Sequence, residues 1–474
     1  MNDVPFGTRL WYGVGEIAQG TKNCAFQLLL LYYYNQVLGL SASRVGVVLF
    51  VALLFDAITD PLVGAVSDTT NSRWGRRHGY MYAAAVPLGV AFYLVFSPPT
   101  GLSAGALQLW LLVWVVGARG AMTLYYVPHM ALGAELSSDY YERTRLTAIR
   151  IFFGFLGAVL LIAAIRGLFL PATTDYPVGQ SNPEGYGPMG AWLGALMAGA
   201  IFASALGTHK RIPLLAKPTT SGGFAFRALW ADLGEALSNP SFRAFFLGML
   251  LYTLGRSVDL ALWMYVGTFF FELGTNAQLV PLVGLIGVLL GTLIWPRFKI
   301  EKRAMFVWGM LGYMLGTSAL PVLKLVGLFP PQGHPLYVPL IVGVMFCAAL
   351  SAAGPSIATS SMVADVVDEQ ELEQGRRLEG VCFGALAFAI KAATGLGSWL
   401  GSVALTLIAF PTQVQDPGAV DAHKVTLLAV IYGPLVFVVI GCGLWFVGGY
   451  RINADRHAEI LRQLAERKSG YPAV

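Results

Sequence analysis

Charged residues are scarce in this chain: Asp, Glu, Lys and Arg together make up only 12% of its 474 residues. Soluble domains carry about 25%, so the composition argues against an ordinary soluble protein. The four cysteines all fall in apolar stretches, and we interpret them as packing residues rather than as disulfide partners or metal ligands. Neither a phosphate-binding loop nor a dinucleotide-binding glycine fingerprint is present. We therefore expect no enzyme, and no cofactor other than a coupling ion.

Apolar residues dominate what is present, at 56% of the chain with a mean hydropathy of +0.64. Apolar runs of about 17–25 residues, the length of a helix that crosses ~30 Å of hydrocarbon, recur along the sequence. The sequence predicts an all-α polytopic membrane protein with twelve transmembrane helices. The predicted spans are 11–38, 45–67, 79–97, 104–135, 145–169, 188–207, 242–271, 277–296, 304–325, 335–364, 379–410 and 425–449.

Lysine and arginine are distributed unevenly between the connections that would lie on the two sides of the membrane. With a cytoplasmic N-terminus, the outer connections hold only Arg44, Arg166, Lys324 and Lys424, and most other basic residues lie inside. By the positive-inside rule, we expect both termini in the cytoplasm, in an inner or plasma membrane. The net charge of +5 follows from this bias and requires no nucleic-acid partner. We expect no removable leader before the first span.

A polar connection divides the chain into two halves of six spans each. We predict an N-terminal bundle at 1–207, a cytoplasmic linker at 208–241, a C-terminal bundle at 242–450 and a cytoplasmic tail at 451–474. The fourth span of each half ends in an acidic segment, 133–139 and 362–368, and basic residues follow it. This weak repeat predicts two six-helix bundles. Chance similarity between charged loops is the alternative.

Two aspartates, Asp56 and Asp60, lie in the middle of the second span. A carboxylate at that depth costs at least ~2.5 kcal/mol, and two carboxylates one helical turn apart repel each other. The pair therefore predicts a buried site for a cation or a proton. The alternative is that each aspartate merely pairs with an intramembrane Arg or Lys.

The segment that follows, 60–77, resembles the gating motif of the major facilitator superfamily. Its particular wording, Phe55-Asp-Ala-Ile-Thr-Asp60-Pro with Ser72-Arg-Trp-Gly-Arg-Arg77, resembles the glycoside–pentoside–hexuronide:cation symporters, the melibiose permease group. Lysolipid carriers share part of this pattern. Further matches, spread over both halves, are Val127-Pro128, Glu142 to Arg145, Arg150, Asp365 to Asp368, Gly375, Arg377, Glu379, Gly380 and Lys391.

The resemblance implies a major facilitator fold that works by alternating access and couples a sugar-like solute to Na+ or H+. It implies a cation site at Asp56 and Asp60, in which Thr59 replaces the usual amide and Thr123 matches the family's threonine. Carboxylate and hydroxyl oxygens suit a hard cation.

For the substrate site, the resemblance favours Arg150 and Lys391, whose charged groups suit hydroxyl-rich or carboxylate ligands. The other candidates are Lys22, Arg119, Tyr126, His129 and Met130. Arg119 could instead neutralise an aspartate of the second span, and Tyr126, His129 and Met130 could be ordinary packing residues.

The substrate site departs from the family at three positions. Gly20 and Tyr126 stand where the melibiose branch has sugar-binding aspartates, and Met130 stands where it has a tryptophan. We therefore do not expect an α-galactoside. Loss of acid with retention of base favours an anionic solute such as a hexuronide. The expected partners are this small molecule and the lipid bilayer, for a monomeric protein.

A cytoplasmic gate is expected from charged loop residues that would form ion pairs between the two bundles and break on inward opening. The candidates are Asp68, Arg73, Arg76, Arg77, Glu142, Arg143, Asp365, Asp368, Arg377 and Glu379. The alternative is that the arginines only set topology. The expected function is cation-coupled symport of a glycoside or hexuronide. A lysolipid carrier of the same fold is the second hypothesis, and a non-transporting membrane sensor is the third.

Overall fold

Helices make up nearly all of the regular structure. The computed structural model describes residues 4–70, 72–137, 139–215, 234, 236–298, 300–375, 379–414 and 416–469. No β-strand occurs within these ranges, which confirms the all-α prediction. Residues 216–233 and 235 of the predicted linker lie outside them.

The first span, α1, consists of the segments Phe6–Val14, Glu16–Leu28 and Leu30–Tyr32 and the π-helical turn Tyr33–Val37. The next helices of the first half are α2 (Ala42–Thr69), α3 (His78–Val95), α4 (Ala104–Leu136), α5 (Tyr140–Ala164) and α6 (Tyr186–His209). Those of the second half are α7 (Pro240–Tyr265), α8 (Leu279–Ile294), α9 (Lys302–Leu325), α10 (Tyr337–Gln374), α11 (Glu379–Leu407) and α12 (Ala422–Val430 and Val436–Val447). A last helix, α13, covers Ala454–Ser469.

Among the described residues, eleven helices are long and apolar enough to cross a membrane. The first predicted span is not among them because α1 is interrupted at Gly15 and Leu29. Its segments follow one another directly, and at 1.5 Å per residue they are together long enough to cross ~30 Å. With α1, the count agrees with the predicted twelve. The protein is therefore an integral membrane protein.

Helix α10 is longer than its predicted span. Hydropathy ends the span near residue 364, whereas the helix continues to Gln374 and closes at Gly375 in the left-handed conformation, with φ 69°. Glycine adopts this conformation without the penalty that a side chain brings. Hydropathy reports where the bilayer ends rather than where the helix ends, so a polar helical extension was not visible in the sequence.

The structure divides into two compact units. The first comprises Met1–Phe224, Trp263–Gln278 and Ser398–Lys424, and the second comprises Ala225–Leu262, Leu279–Gly397 and Val425–Val474. The first unit thus includes one end of α7 and one end of α11. Within it, the Tyr265 hydroxyl donates to Asn35 Oδ1 at 2.9 Å, and Gln36 Nε2 donates to the Pro411 carbonyl at 2.8 Å. The predicted division into bundles at 1–207 and 242–450 stays a prediction.

Close packing of α1 on α5 positions the polar residues of both helices. A Cβ atom added at Gly20 would lie 1.9 Å from the carbonyl oxygen of Gly154, and one added at Gly157 would lie 2.4 Å from that of Ile17. Only glycine allows two helix backbones to approach this closely. The register of α1 against α5 is therefore set by these glycines.

Candidate functional site

The two aspartates of α2 face α4, and each contacts an α4 residue. Asp56 Oδ2 accepts a hydrogen bond from Arg119 Nη1 in an ion pair. One turn further along both helices, Asp60 Oδ1 accepts a hydrogen bond of 2.7 Å from the Thr123 hydroxyl. Residues four apart lie on the same face of a helix. The structure therefore brings Asp56, Asp60 and Thr123 together, as the cation-site prediction requires.

Several oxygen atoms of this region are suited to bind a cation. Asp56 Oδ1 is buried and has no hydrogen-bond partner among the described residues. The Thr59 hydroxyl donates to the Phe55 carbonyl one turn back, at 2.9 Å, which leaves its lone pairs available. The same holds for Thr123, whose proton is directed at Asp60. Such carboxylate and hydroxyl oxygens are the ligands of hard cations.

Arg119, predicted as a substrate residue, is directed at the aspartates in this structure. Besides its ion pair with Asp56, its guanidinium lies 5.8 Å from the centre of the Phe26 ring on α1. A cation over an aromatic face is attracted by the ring. Arg119 thus neutralises Asp56, and its contact with substrate stays a prediction.

Arg150 lies on α5 in a polar region shared with α1 and α4. Its Nη1 atom is buried without a hydrogen-bond partner among the described residues. Gly154, one turn further along α5, leaves room for the Glu16 side chain of α1. The structure therefore places Glu16 against the face of α5 that carries Arg150, and contact of Tyr126 with substrate stays a prediction.

His129 and Met130 follow on α4 but lie in different surroundings. The His129 ring is fully buried and stacks against Tyr12 at 4.5 Å and against Tyr125 at 4.9 Å between ring centroids. Its Nε2 atom lies 2.8 Å from the Tyr12 carbonyl oxygen. Met130 is 40% exposed. This placement of His129 favours packing, and its role in substrate binding stays a prediction.

The two lysines predicted for the substrate site belong to different units. Lys22 is buried on α1 with 4% of its surface exposed, and Lys391 is half-buried on α11. The structure thus places both within spans, and their contact with substrate stays a prediction.

Gly20, which the sequence places where relatives have a sugar-binding aspartate, is directed at α5. A glycine is required here because the Gly154 carbonyl oxygen occupies the position that a Cβ atom would take. The glycine therefore reflects helix packing, and no side chain of any kind fits there without separating α1 from α5.

In the first unit, two predicted gate arginines converge on the C-terminal end of α4. Arg76 Nη2 and Arg77 Nε each lie 2.9 Å from Glu135 Oε1. Arg77 also donates to the Ser67 hydroxyl at 2.7 Å and forms an ion pair with Asp68. One arginine thus joins the end of α2 to the end of α4.

In the second unit, Asp365 of α10 accepts hydrogen bonds from Lys302 Nζ at 2.7 and 2.9 Å. His457 of α13 lies with its Nε2 atom 3.3 Å from Asp365 and 3.2 Å from Asp368. The tail helix is held there by Ile460 and Leu464, whose side chains are buried in the core of this unit. Both predicted gate acids, Asp365 and Asp368, therefore contact basic residues of their own unit.

The remaining gate candidates have varied surroundings. Glu142 is buried and pairs with Arg9 at 3.1 Å and with Arg145 at 2.7 Å. Arg143 donates to the Ser137 and Ala134 carbonyls and so caps the end of α4. The exposed Arg73 lies over the Trp74 ring. Glu379 is exposed at the start of α11, and Arg377 lies outside the described residues. Gating by these residues stays a prediction.

Glu16, Glu135, Lys302 and His457 were not predicted as functional residues. Glu135 lies in the acidic segment that ends the fourth span. That segment, which recurs in the second half, is the sequence signal from which its contact with the arginines of 72–77 could have been predicted. Lys302 is one of the basic residues that the positive-inside rule explains, although it follows the second span of its half just as Arg77 does. Nothing in the pattern of the tail signals that His457 reaches α10.

Comparisons with known proteins agree on one class. The family model described as MFS/sugar transport protein matches residues 11–454. The putative glycoside/cation symporter YagG of Escherichia coli is 24% identical over 476 residues, covering 99% of this chain and 97% of that protein. The isoprimeverose transporter of Lactiplantibacillus pentosus is 27% identical over 404 residues, covering 84% of this chain and 79% of that protein.

A solved structure shares the fold. The crystal structure of the nucleoside transporter NupG has a TM-score of 0.59 and 13% sequence identity, and the match covers 95% of this chain and 100% of that one. At this identity the likeness concerns the fold alone. Together with the polar residues at membrane depth, the family match over residues 11–454 confirms the resemblance found in the sequence. The chain belongs to the MFS/sugar transport protein family, a family of transporters rather than enzymes.

Proposed function

We propose that this protein is a secondary active transporter that couples a sugar-like solute, such as a glycoside or hexuronide, to Na+ or H+ by alternating access. The observation that carries the proposal is the pairing of α2 with α4, in which Asp56 meets Arg119 and Asp60 meets Thr123. Charged groups inside a membrane are costly and are retained for function. The family description names sugar transport, which favours this function over the lysolipid alternative.

The coupling step follows from this geometry. A cation bound by oxygens of Asp56, Asp60, Thr59 and Thr123 would offset the carboxylates that α2 carries into the membrane. If bound cation favours the conformation that binds substrate, bound substrate raises the cation affinity by the same factor. The helices that hold the cation site, α2 and α4, are continuous with the helix ends that carry Asp68 and Glu135.

Several further features belong to this proposal. The excess of basic residues in alternate connections supports cytoplasmic termini in an inner or plasma membrane. The transported partner is a small polar molecule, and the transporter acts as a monomer of two bundles, 1–207 and 242–450. The predicted gate residues close its cytoplasmic side.

The test is uptake by purified protein in proteoliposomes, with a panel of glycosides and uronides and an imposed Na+ or H+ gradient. We expect Asp60→Asn to reduce gradient-driven uptake at least tenfold, since it removes a carboxylate charge from the cation site while the amide oxygen can still accept from Thr123. Asp56→Asn should do the same and also lower thermal stability, because Arg119 loses its partner. Asp175→Asn, in an exposed loop, is the matched control. Equal substrate affinity with and without Na+ at every pH would disprove coupling.

A further inference from the structure

A group of buried polar atoms on α1, α4 and α5 has no hydrogen-bond partner among the described residues. The atoms are Glu16 Oε2, His129 Nδ1 and Arg150 Nη1. Buried polar groups are nearly always hydrogen-bonded, and leaving one unpaired is costly. Glu16 Oε2 and His129 Nδ1 lie 3.8 Å apart, and Glu16 contacts α5 one turn from Arg150, so these unpaired donors and acceptors point to a polar ligand.

Glu16 is held in this place by the packing of α1 on α5. Its Cγ atom lies 3.1 Å from the point where a Cβ atom would stand on Gly154, so this glycine leaves room for the glutamate. Arg150 precedes Gly154 by one turn of α5 and therefore lies on the same helix face. On the other side, Glu16 Oε2 lies 3.8 Å from His129 Nδ1. Only 9% of the Glu16 surface is exposed.

We propose that Glu16 is the acidic residue of the substrate site and that it selects neutral, polyhydroxylated ligands over anionic ones. This inference rests on the proposed function. The sequence alone suggested that the site had lost its acids, because Gly20 and Tyr126 replace two carboxylates of the melibiose branch. The structure places a carboxylate one turn before Gly20, next to the base that the site retained.

The chemistry of the pair explains the selectivity. A carboxylate accepts hydrogen bonds from hydroxyl groups, and the Arg150 guanidinium donates to them. The two charges compensate each other, so a neutral sugar ring enters without adding a net charge. A uronide would bring a second carboxylate to a site in which Arg150 already compensates that of Glu16, and the uncompensated negative charge is unfavourable.

The test uses matched ligands that differ only at carbon 6: p-nitrophenyl α- and β-glucosides and galactosides, and the corresponding glucuronides and galacturonides. Affinities are measured for the full-length protein in nanodiscs, with and without Na+ and at two pH values. We expect the wild type to bind at least one neutral member tenfold more tightly than its uronide. Glu16→Gln should weaken the neutral ligand at least tenfold while leaving the uronide unchanged or tighter. Glu184→Gln, exposed outside the helices of the site, should change neither.

Three outcomes would overturn the role of Glu16. They are a wild type that prefers the uronide, a folded Glu16→Gln variant that loses both ligands equally, and one that loses neither. If Glu16→Gln does not fold, the wild-type preference decides. The proposed function fails separately: a neutral preference without any dependence on Na+ or pH refutes symport and leaves Glu16 in place. Absence of binding by every pair refutes both.

Discussion

Near their C-terminal ends, α4 and α10 carry corresponding acidic residues that have different partners. In each half the acid lies on the fourth helix, as Glu135 or Asp365, and its base lies where the third helix begins, as Arg77 or Lys302. The correspondence strengthens the weak internal repeat in the sequence. The acids are equivalent in position, but their surroundings are not.

In the first unit an arginine holds the acidic residue of the fourth helix, whereas in the second unit a lysine and the tail helix α13 hold it. Arg77 is buried and bridges Glu135, Asp68 and Ser67 through its planar fork, which a lysine cannot reproduce. Lys302 contacts one carboxylate and leaves 40% of its side chain exposed. Helix α4 ends at Leu136, whereas α10 continues to Gln374 and provides the surface on which α13 packs. We call Arg77 with Glu135, Asp68 and Ser67 the first cluster, and Lys302 with Asp365 and His457 the second cluster. We infer that the first cluster is rigid by itself and that the second depends on several weaker contacts.

The largest effect is expected from removing the bridging arginine. Arg77→Met removes the shared partner of Glu135 and Asp68 and should cost about 3 kcal/mol, the lower end of the range for breaking a buried ion pair from one side, because Glu135 keeps its ion pair with Arg76. We expect the largest fall in thermal unfolding temperature of all variants discussed here. Arg73→Met, at an exposed position in the same loop, is the control and should stay close to wild type. If the two variants were equally stable, Arg77 would not be what stabilises the first cluster.

An intermediate effect is expected at Lys302. Lys302→Met should cost about 1–2 kcal/mol, since Asp365 keeps His457 and the lysine is partly solvated. Lys302→Arg tests whether the planar guanidinium group is what stabilises the first cluster. If it is, an arginine at position 302 should preserve or raise the unfolding temperature. The exposed Lys210 provides the control as Lys210→Met. A double-mutant cycle with Asp365→Asn should be non-additive, and strict additivity would show that the pair contributes nothing.

The smallest effect is expected in the tail. His457→Gln should cost about 0.5 kcal/mol by itself, as partly exposed charged contacts usually do, with His423→Gln as an exposed control. Combined with Lys302→Met, however, it should destabilise by more than the sum, because the buried Asp365 then loses both basic partners. Unfolding temperatures of the two single variants and the double variant measure this. A purely additive double variant would mean that the tail does not take part in the second cluster.

Much of the fold and part of the site could be predicted from the sequence. Hydropathy located the spans, and the four-residue spacing of Asp56 and Asp60 placed them on one helix face. The pattern around residues 55–77 identified the family. These predictions succeed because hydrophobic length and helical spacing are local properties, which residues close in sequence determine by themselves.

The partners of these residues depend on tertiary packing and could not be predicted from the sequence. Arg119 meets Asp56 across 63 positions of sequence, and His457 reaches Asp365 from the tail. At Gly20 the backbones of α1 and α5 are in contact, and Glu16 lies against Gly154, one turn from Arg150. Composition and spacing assign a residue to a helix face, but the neighbour of that face depends on how the helices pack. The spans and the family can thus be predicted from local sequence, whereas the packing of α1 on α5 and of α2 on α4 decides which charged residues meet.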